Sequence, residues 1–145
     1  MKSAKTARKP DSWYRQSGVV AVRVRDGAPQ VLLVTSAGGK RWVIPKGIVE
    51  EDHTPASSAA KEAWEEAGVT GKVSRRMIGR YSYEKWNGVC AVLVYRLDVE
   101  EVHREWPEAH VRRRKWLTPA SAAARVGNPA LAQIILDAFP GRIPT

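Results

Sequence analysis

The stretch GIVEEDHTPASSAAKEAWEEAGV, residues 47 to 69, reads as a loop running into one well-delimited helix. Thr54 carries an oxygen able to cap a first turn, and Pro55 has its φ already set for the first helical position. Gly68 can take the left-handed conformation that ends a helix. A helix from Pro55 to Ala67 is therefore expected. At ~100° per residue, Ala56, Ala60, Ala63 and Ala67 share one stripe, while Glu62, Glu65 and Glu66 gather on the other side. The alanines let such a helix pack closely on a sheet. The carboxylates are three and four residues apart, so they repel one another unless a cation lies between them. Mg²⁺ takes oxygen ligands and combines a few carboxylates with substrate phosphates and water. The acidic face is thus a candidate metal site, and a solvated acidic face is the plain alternative for any such run of charge.

Outward from this helix, Gly18 to Arg25 (GVVAVRVR) and Gln30 to Thr35 (QVLLVT) are β-branched runs around the turn residues Asp26 to Pro29. That is the pattern of a hairpin. Trp42 to Ile44 reads as a short third strand ended by Pro45, followed by a loop rich in glycine and acidic residues. Downstream, Lys72 to Tyr83 and Val89 to Asp98 read as two strands joined by a turn around Asn87-Gly88, the second apolar enough to lie centrally. Arg113 to Leu117 reads as a last short strand. Thr118-Pro119 and Asn128-Pro129 repeat the pattern of cap and proline and open two short helices, the second carrying Leu131, Ile134, Ile135 and Ala138. Strands, a helix, more strands and more helices give an α+β, mixed α/β layered domain.

A chain of 145 residues, 43% hydrophobic and 27% charged, has the size and balance of one soluble domain. Residues 13–145 are expected to form that domain behind a basic flexible tail, residues 1–12. The longest apolar stretch, Val89 to Tyr95, is far short of the roughly 20 residues that span a bilayer, so no membrane segment is expected. The basic start lacks the apolar segment of a secretory leader, and a cytoplasmic location is the expectation. The single cysteine, Cys90, lies in an apolar run and is expected in the core, not as a nucleophile. Lys+Arg 24 against Asp+Glu 15 gives a net charge of +9, gathered in the tail and in Arg112, Arg113, Arg114 and Lys115. An anionic partner is implied, and charge alone does not separate nucleic acid, a membrane surface and a polyphosphate.

Gly47, five residues, His53, seven residues and then Lys61-Glu62-Ala63-Trp64-Glu65-Glu66-Ala67-Gly68-Val69 resembles the Nudix box, G-x5-E-x7-R-E-U-x-E-E-x-G-U with U an aliphatic residue. Gly47, Glu62, Glu65, Glu66, Gly68 and Val69 match at the required spacing, and Ala63 is a small apolar residue at the first U. Two positions depart: His53 stands where the family has its first glutamate, and Lys61 where it has arginine. In the family that arginine orients neighbouring carboxylates and that glutamate supports the loop and metal site, so both departures touch geometry more than ligation. Lysine keeps the charge but lacks the planar fork that grips a carboxylate bidentately. His53 could serve as a metal ligand, a proton carrier or an exposed loop residue.

The resemblance covers roughly residues 15 to 137. Arg41 to Gly47 with Glu50 after it, and Trp106-Pro107-Glu108 followed by Arg112 to Trp116, are similar to the diphosphoinositol polyphosphate and diadenosine polyphosphate hydrolase branch. What this implies is a Nudix-type α/β/α sandwich with a central mixed sheet. It also implies a Mg²⁺-dependent hydrolase, with Mn²⁺ as the alternative ion, that cuts phosphoanhydride bonds in nucleoside- or inositol-linked polyphosphates. The implied metal ligands are Glu62, Glu65 and Glu66 with the Lys46 carbonyl, and Lys61 joins the catalytic set. Arg15, Lys40, Arg41 and Lys46 before the box, and Lys85 and the run Arg112 to Arg114 after it, would grip phosphates. Glu62 is the first choice for orienting or deprotonating the attacking water, with Glu84, Glu105 and Glu108 as candidates outside the box.

Two readings from other classes stand beside this one. A Nudix-fold binding module that has lost catalysis would account for His53 and Lys61, although it leaves the retention of Glu62, Glu65 and Glu66 unexplained. An RNA-binding protein acting on 5′ ends would use the basic segments together with exposed aromatic residues for stacking. Trp13 and Trp86 are the exposed candidates for that role, whereas Trp42, Trp64 and Trp116 fall inside expected elements and belong to the core. The residues name neither the group flanking the phosphates nor an oligomeric state.

Overall fold

In a computed structural model, which describes residues 13–139, the apolar runs of the sequence assemble into one mixed sheet. The basic tail expected at residues 1–12 and the exposure of the Trp13 side chain lie outside what is described. Strand β1 (Trp13–Arg25) folds back on β2 (Ala28–Thr35) as the expected hairpin, in a register running from Ala21 opposite Leu32 to Arg25 opposite Ala28. Asp26 and Gly27 make the turn at φ 53° and 79°, the left-handed pair whose twist suits a tight hairpin. On its other side β1 runs parallel to β7 (Gly88–Val102), from Trp13 opposite Val89 to Val22 opposite Asp98. The path through the sheet is β3 (Trp42–Val43), β2, β1, β7 and β5 (Val69–Val73). Three further strands join it: β4 (Lys46–Ile48) on β1, β6 (Gly79–Lys85) on β7 and β8 (Arg114–Leu117) on β2.

Helices cover both faces, giving the α/β/α sandwich. Helix α1 (Pro55–Glu62), whose chain continues through a wider π turn over Ala63–Ala67, packs on Val19, Ala21, Leu32, Val34 and Leu97. Helices α2 (Pro119–Val126) and α3 (Pro129–Asp137) pack on Val20, Val22, Val31, Leu33 and Val92. Successive residues of β1 and β2 therefore feed opposite cores, which is why those strands are nearly continuous in apolar residues instead of alternating. Each fully buried Leu or Val contributes ~1.5–3 kcal/mol. Cys90 is fully buried in this sheet, as its apolar surroundings imply.

Four local expectations are corrected. Lys46–Ile48 is a strand and not a loop, because Gly18 lets the two backbones approach: a Cβ at residue 18 would lie 2.5 Å from the Pro45 carbonyl oxygen. Lys72 to Tyr83 is not one strand, since the chain leaves β7 at Val73 opposite Leu97 and rejoins it at Gly79 opposite Val94. The Ser74 hydroxyl holds the excursion, accepting from the Arg96 amide and donating to the Arg76 carbonyl. The turn between β6 and β7 is centred on Trp86 and Asn87, at φ 56° and 59°, one residue earlier than Asn87-Gly88. On α1, Ala59 and not Ala60 completes the buried stripe with Ala63 and Ala67.

Candidate functional site

The acidic helix is fastened at both ends by residues that its own sequence supplies. At the start, Thr54 Oγ1 accepts from the Ser57 amide and Ser57 Oγ accepts from the Thr54 amide, both at 3.0 Å, a reciprocal capping box. At the finish, Gly68 turns left-handed at φ 68° and its amide reaches both the Ala63 and Trp64 carbonyls, the wider spacing of a π turn. The carbonyls this leaves open are met from the segment before β8 and from the first residue of β8. Trp106 Nε1 donates to the Glu66 carbonyl at 3.0 Å, the Glu108 amide to the Glu65 carbonyl at 3.0 Å, and Arg114 Nη1 to the Ala67 carbonyl at 2.8 Å.

Each of the three carboxylates then has a distinct setting. Glu62 lies against Gly47, where an added Cβ would stand 2.3 Å from the Glu62 carboxyl carbon. Glu66 is buried; its Oε1 accepts from the Lys46 amide at 3.1 Å and its Oε2 from Arg112 Nη2 at 3.1 Å. Glu65 Oε2 is 3.2 Å from Lys61 Nζ, which also donates to Glu50 Oε2 at 2.8 Å. Gly47→Ala is therefore expected to displace the Glu62 carboxylate and lower turnover by ~10–100-fold, the usual range for groups supporting a metal site. Steady-state rates together with a thermal melt check this, and a parent-like rate would contradict it.

Burial, and next the charge of Glu65, pushes Glu62 up to about 7. Burial does the same to Glu66, also to about 7, against the opposing pull of the Arg112 guanidinium. Lys46 is lowered, chiefly by burial, and Lys61 is raised by its hydrogen bonds to Glu50 and Glu65. Two carboxylates thus carry their charge reluctantly, and a hard divalent cation would offset that cost. The donor chemistry fits such an ion. Among the described residues, the set of ligand atoms lying within 4.8 Å of one another is nevertheless that of Glu50, Asp52 and His53, in the loop before α1. Among the helix glutamates, Glu65 is turned to Lys61 and Glu66 to Arg112.

Arg41, Val43, Lys46, Tyr81 and Tyr83 line an open cavity of about 450 Å³ together with Asn128, Pro129 and Leu131 at the start of α3, and the Lys46 amide ties its wall to Glu66. Lys46 Nζ lies 5.0 Å from the centre of the Tyr83 ring, and the Tyr83 hydroxyl donates to Gln16 Oε1 at 2.8 Å. Lys85 borders a second concavity of about 440 Å³ with Glu84 and Asn87. Arg15 and Lys40 are exposed and line neither. Arg112 and Arg114 point inward. Arg112 binds Glu66, Glu108 and the Thr35 carbonyl, and Arg114 binds the Ala67 and His103 carbonyls over the Trp106 ring. His53 donates or accepts at Ser57 Oγ, 2.9 Å away, and is partly buried. Trp86 is half exposed, with Lys85 Nζ 4.5 Å from the centre of its ring. Trp42 and Trp116 pack partly buried on the two cores, and Trp64 lies edge-on to His103.

Sequence reasoning passed over Tyr83 and Gln16. The alternation of Tyr81 and Tyr83 along β6, which places both on one face, was the sign available for the first. Nothing local marks the second.

Residues 14–138 match the NUDIX domain family. The chain is 35% identical over 118 residues to Nudix hydrolase 16, mitochondrial, of Arabidopsis thaliana, a match covering 76% of this chain and 65% of that protein. It is 37% identical over 90 residues to diphosphoinositol polyphosphate phosphohydrolase 2 of Rattus norvegicus, covering 60% of this chain and 49% of that one. The chain thus spans between 44% and 65% of the length of four plant relatives it matches. Among solved structures, the Ap4A hydrolase of C. elegans superposes with a TM-score of 0.70 at 20% identity, covering 90% of this chain and 100% of that one, a likeness of fold. Several relatives are named as mitochondrial. No helix among the described residues is long and apolar enough to cross a membrane.

Proposed function

The chain belongs to the Nudix family, and from that premise we propose that it is a hydrolase of phosphoanhydride bonds in nucleoside- or inositol-linked polyphosphates, dependent on Mg²⁺ with Mn²⁺ as the alternative ion. The observation that carries this reading is the pair of desolvated carboxylates, Glu62 and Glu66, beside Glu65 on one helix face. Glu62, Glu65 and Glu66 would hold the ion together with the Lys46 carbonyl. When bound, the ion supplies neutralisation of phosphate charge.

Glu62, whose carboxyl group stands against Gly47, is the first choice for orienting or deprotonating the attacking water. Lys46 and Arg41, which line the larger cavity, and Lys85, which borders the smaller one, would hold phosphates, with Arg15 and Lys40 on exposed surface outside both. The internal bonds of Arg112 and Arg114 give them a supporting role instead. Residues 13–145 would act as a single domain, in the cytoplasm, on a small-molecule polyphosphate.

The contacts of Lys61 with both Glu50 and Glu65 favour this reading over a module that has lost catalysis. A panel of diadenosine polyphosphates, diphosphoinositol polyphosphates, nucleoside triphosphates, nucleotide sugars and capped RNA, each with Mg²⁺ or Mn²⁺, tests it. Metal-dependent hydrolysis of at least one is expected. Inactivity across the whole panel with both ions would return the binding module. Tight, salt-dependent binding to RNA lacking a 5′ polyphosphate would favour the RNA reading.

A further inference from the structure

Lys61, at the place of the box's arginine, is held by one glutamate of the box, Glu65, and by one that the box does not specify, Glu50. His53 occupies the position of the box's first glutamate, and its ring is bonded through Nδ1 to Ser57 Oγ at 2.9 Å. The ammonium of Lys61 is met by Glu50, at 2.8 Å, and by Glu65, at 3.2 Å. Glu50 and His53 are the two ends of one turn, closed by the His53 amide donating to the Glu50 carbonyl at 3.0 Å. Such a turn brings its end residues to within ~7 Å of each other. A carboxylate at residue 50 can therefore reach the place where one at residue 53 would act.

The turn is itself anchored. The Val49 amide donates to the Arg15 carbonyl at 3.1 Å, and Ser58 Oγ donates to the Ile48 carbonyl at 3.3 Å. His53 Nε2 lies 3.8 Å from Glu50 Oε1, so the histidine flanks the oxygen that Lys61 does not use. We propose that Glu50 replaces the missing carboxylate at residue 53, and that Glu50 and Lys61 form a positioning pair which fixes Glu65 for the divalent cation.

This rests on the hydrolase reading, and the test separates the two. Mn²⁺ affinity, followed by the electron paramagnetic resonance of the free ion, is a readout independent of turnover, and a thermal melt verifies folding. Exposed ion pairs stabilise little, so the variants should remain folded. Glu50→Gln is expected to weaken Mn²⁺ binding by ~10-fold or more, as loss of a supporting partner does. Glu50→Gln combined with His53→Glu should recover to within about threefold of the parent, because the turn returns a carboxylate to Lys61. Lys61→Met should match Glu50→Gln, and the two together should be no worse than either, since they break one linkage.

Parent-like Mn²⁺ affinity in Glu50→Gln, or no recovery in the double variant, would overturn the proposal while leaving the hydrolase reading of the parent protein standing. Additive losses for Glu50→Gln and Lys61→Met would overturn it too, by making Glu50 a direct ligand. If the parent bound no Mn²⁺ and hydrolysed nothing, this proposal and the hydrolase reading would fall together.

Discussion

Glu66→Gln is expected to lower turnover by at least ~100-fold while the melting temperature stays within a few degrees of the parent's. The side chain is nearly the same shape, and glutamine can still accept from the Lys46 amide, which lies 3.1 Å from Glu66 Oε1. Burial already pushes Glu66 up to about 7, so a neutral group costs the fold little. The amide lacks the charge that a hard divalent cation requires. Arg112 keeps its 2.7 Å contact to Glu108 and its bond to the Thr35 carbonyl, which limits the effect on stability. Initial rates at saturating Mg²⁺ on whichever polyphosphate the parent cuts, set beside a thermal melt, decide the matter. A folded variant with the parent's rate would remove Glu66 from the mechanism.

Arg112→Met should instead strike stability, by ~3 kcal/mol at pH 8 in metal-free protein and by less at pH 5. The guanidinium is largely buried and joins Glu66 and the Thr35 carbonyl, both distant in the chain, to Glu108, which lies four residues before it. Removing it leaves a buried carboxylate without its cation. The pH dependence follows from Glu66, whose folded value of about 7 lies above the ordinary 4.5. A carboxyl raised in this way contributes stability that is fully present below pH 4.5 and is lost as the pH climbs through 7. Arg112 opposes that rise, so without it the loss above pH 7 deepens, and the gap between variant and parent widens from pH 5 to pH 8. Glu108 is a third exposed and adds little of its own. Urea unfolding at the two pH values measures the gap, and an equal destabilisation at both would refute the argument.

The basic run at residues 112 to 114 shows how far composition leads and where it stops. Three arginines in a chain of net charge +9 suggest a grip on phosphate. In the fold, Arg112 meets a carboxylate 46 residues earlier, Arg114 caps the end of the acidic helix, and Arg113 lies over the Trp42 ring. Lys46 is the reverse case. It is one basic residue among several in the sequence, yet in the structure its amide and side chain occupy the space between Glu66 and Tyr83.

What the sequence alone determined was whatever depends on residues a few places apart. Thr54 and Gly68 delimit the helix, its repeat carries Glu62, Glu65 and Glu66 to one side, and the spacing back to Gly47 names the family. The two valine-rich strands and their hairpin were legible for the same reason. Only the tertiary structure decided that Lys46–Ile48 pairs as a strand, that Glu50 answers Lys61 across a turn, and that Arg112 holds Glu66. Local propensity acts within a turn or a strand, whereas the partner of a buried charge is chosen by which elements the core brings together, and that choice is made by all the packed residues at once.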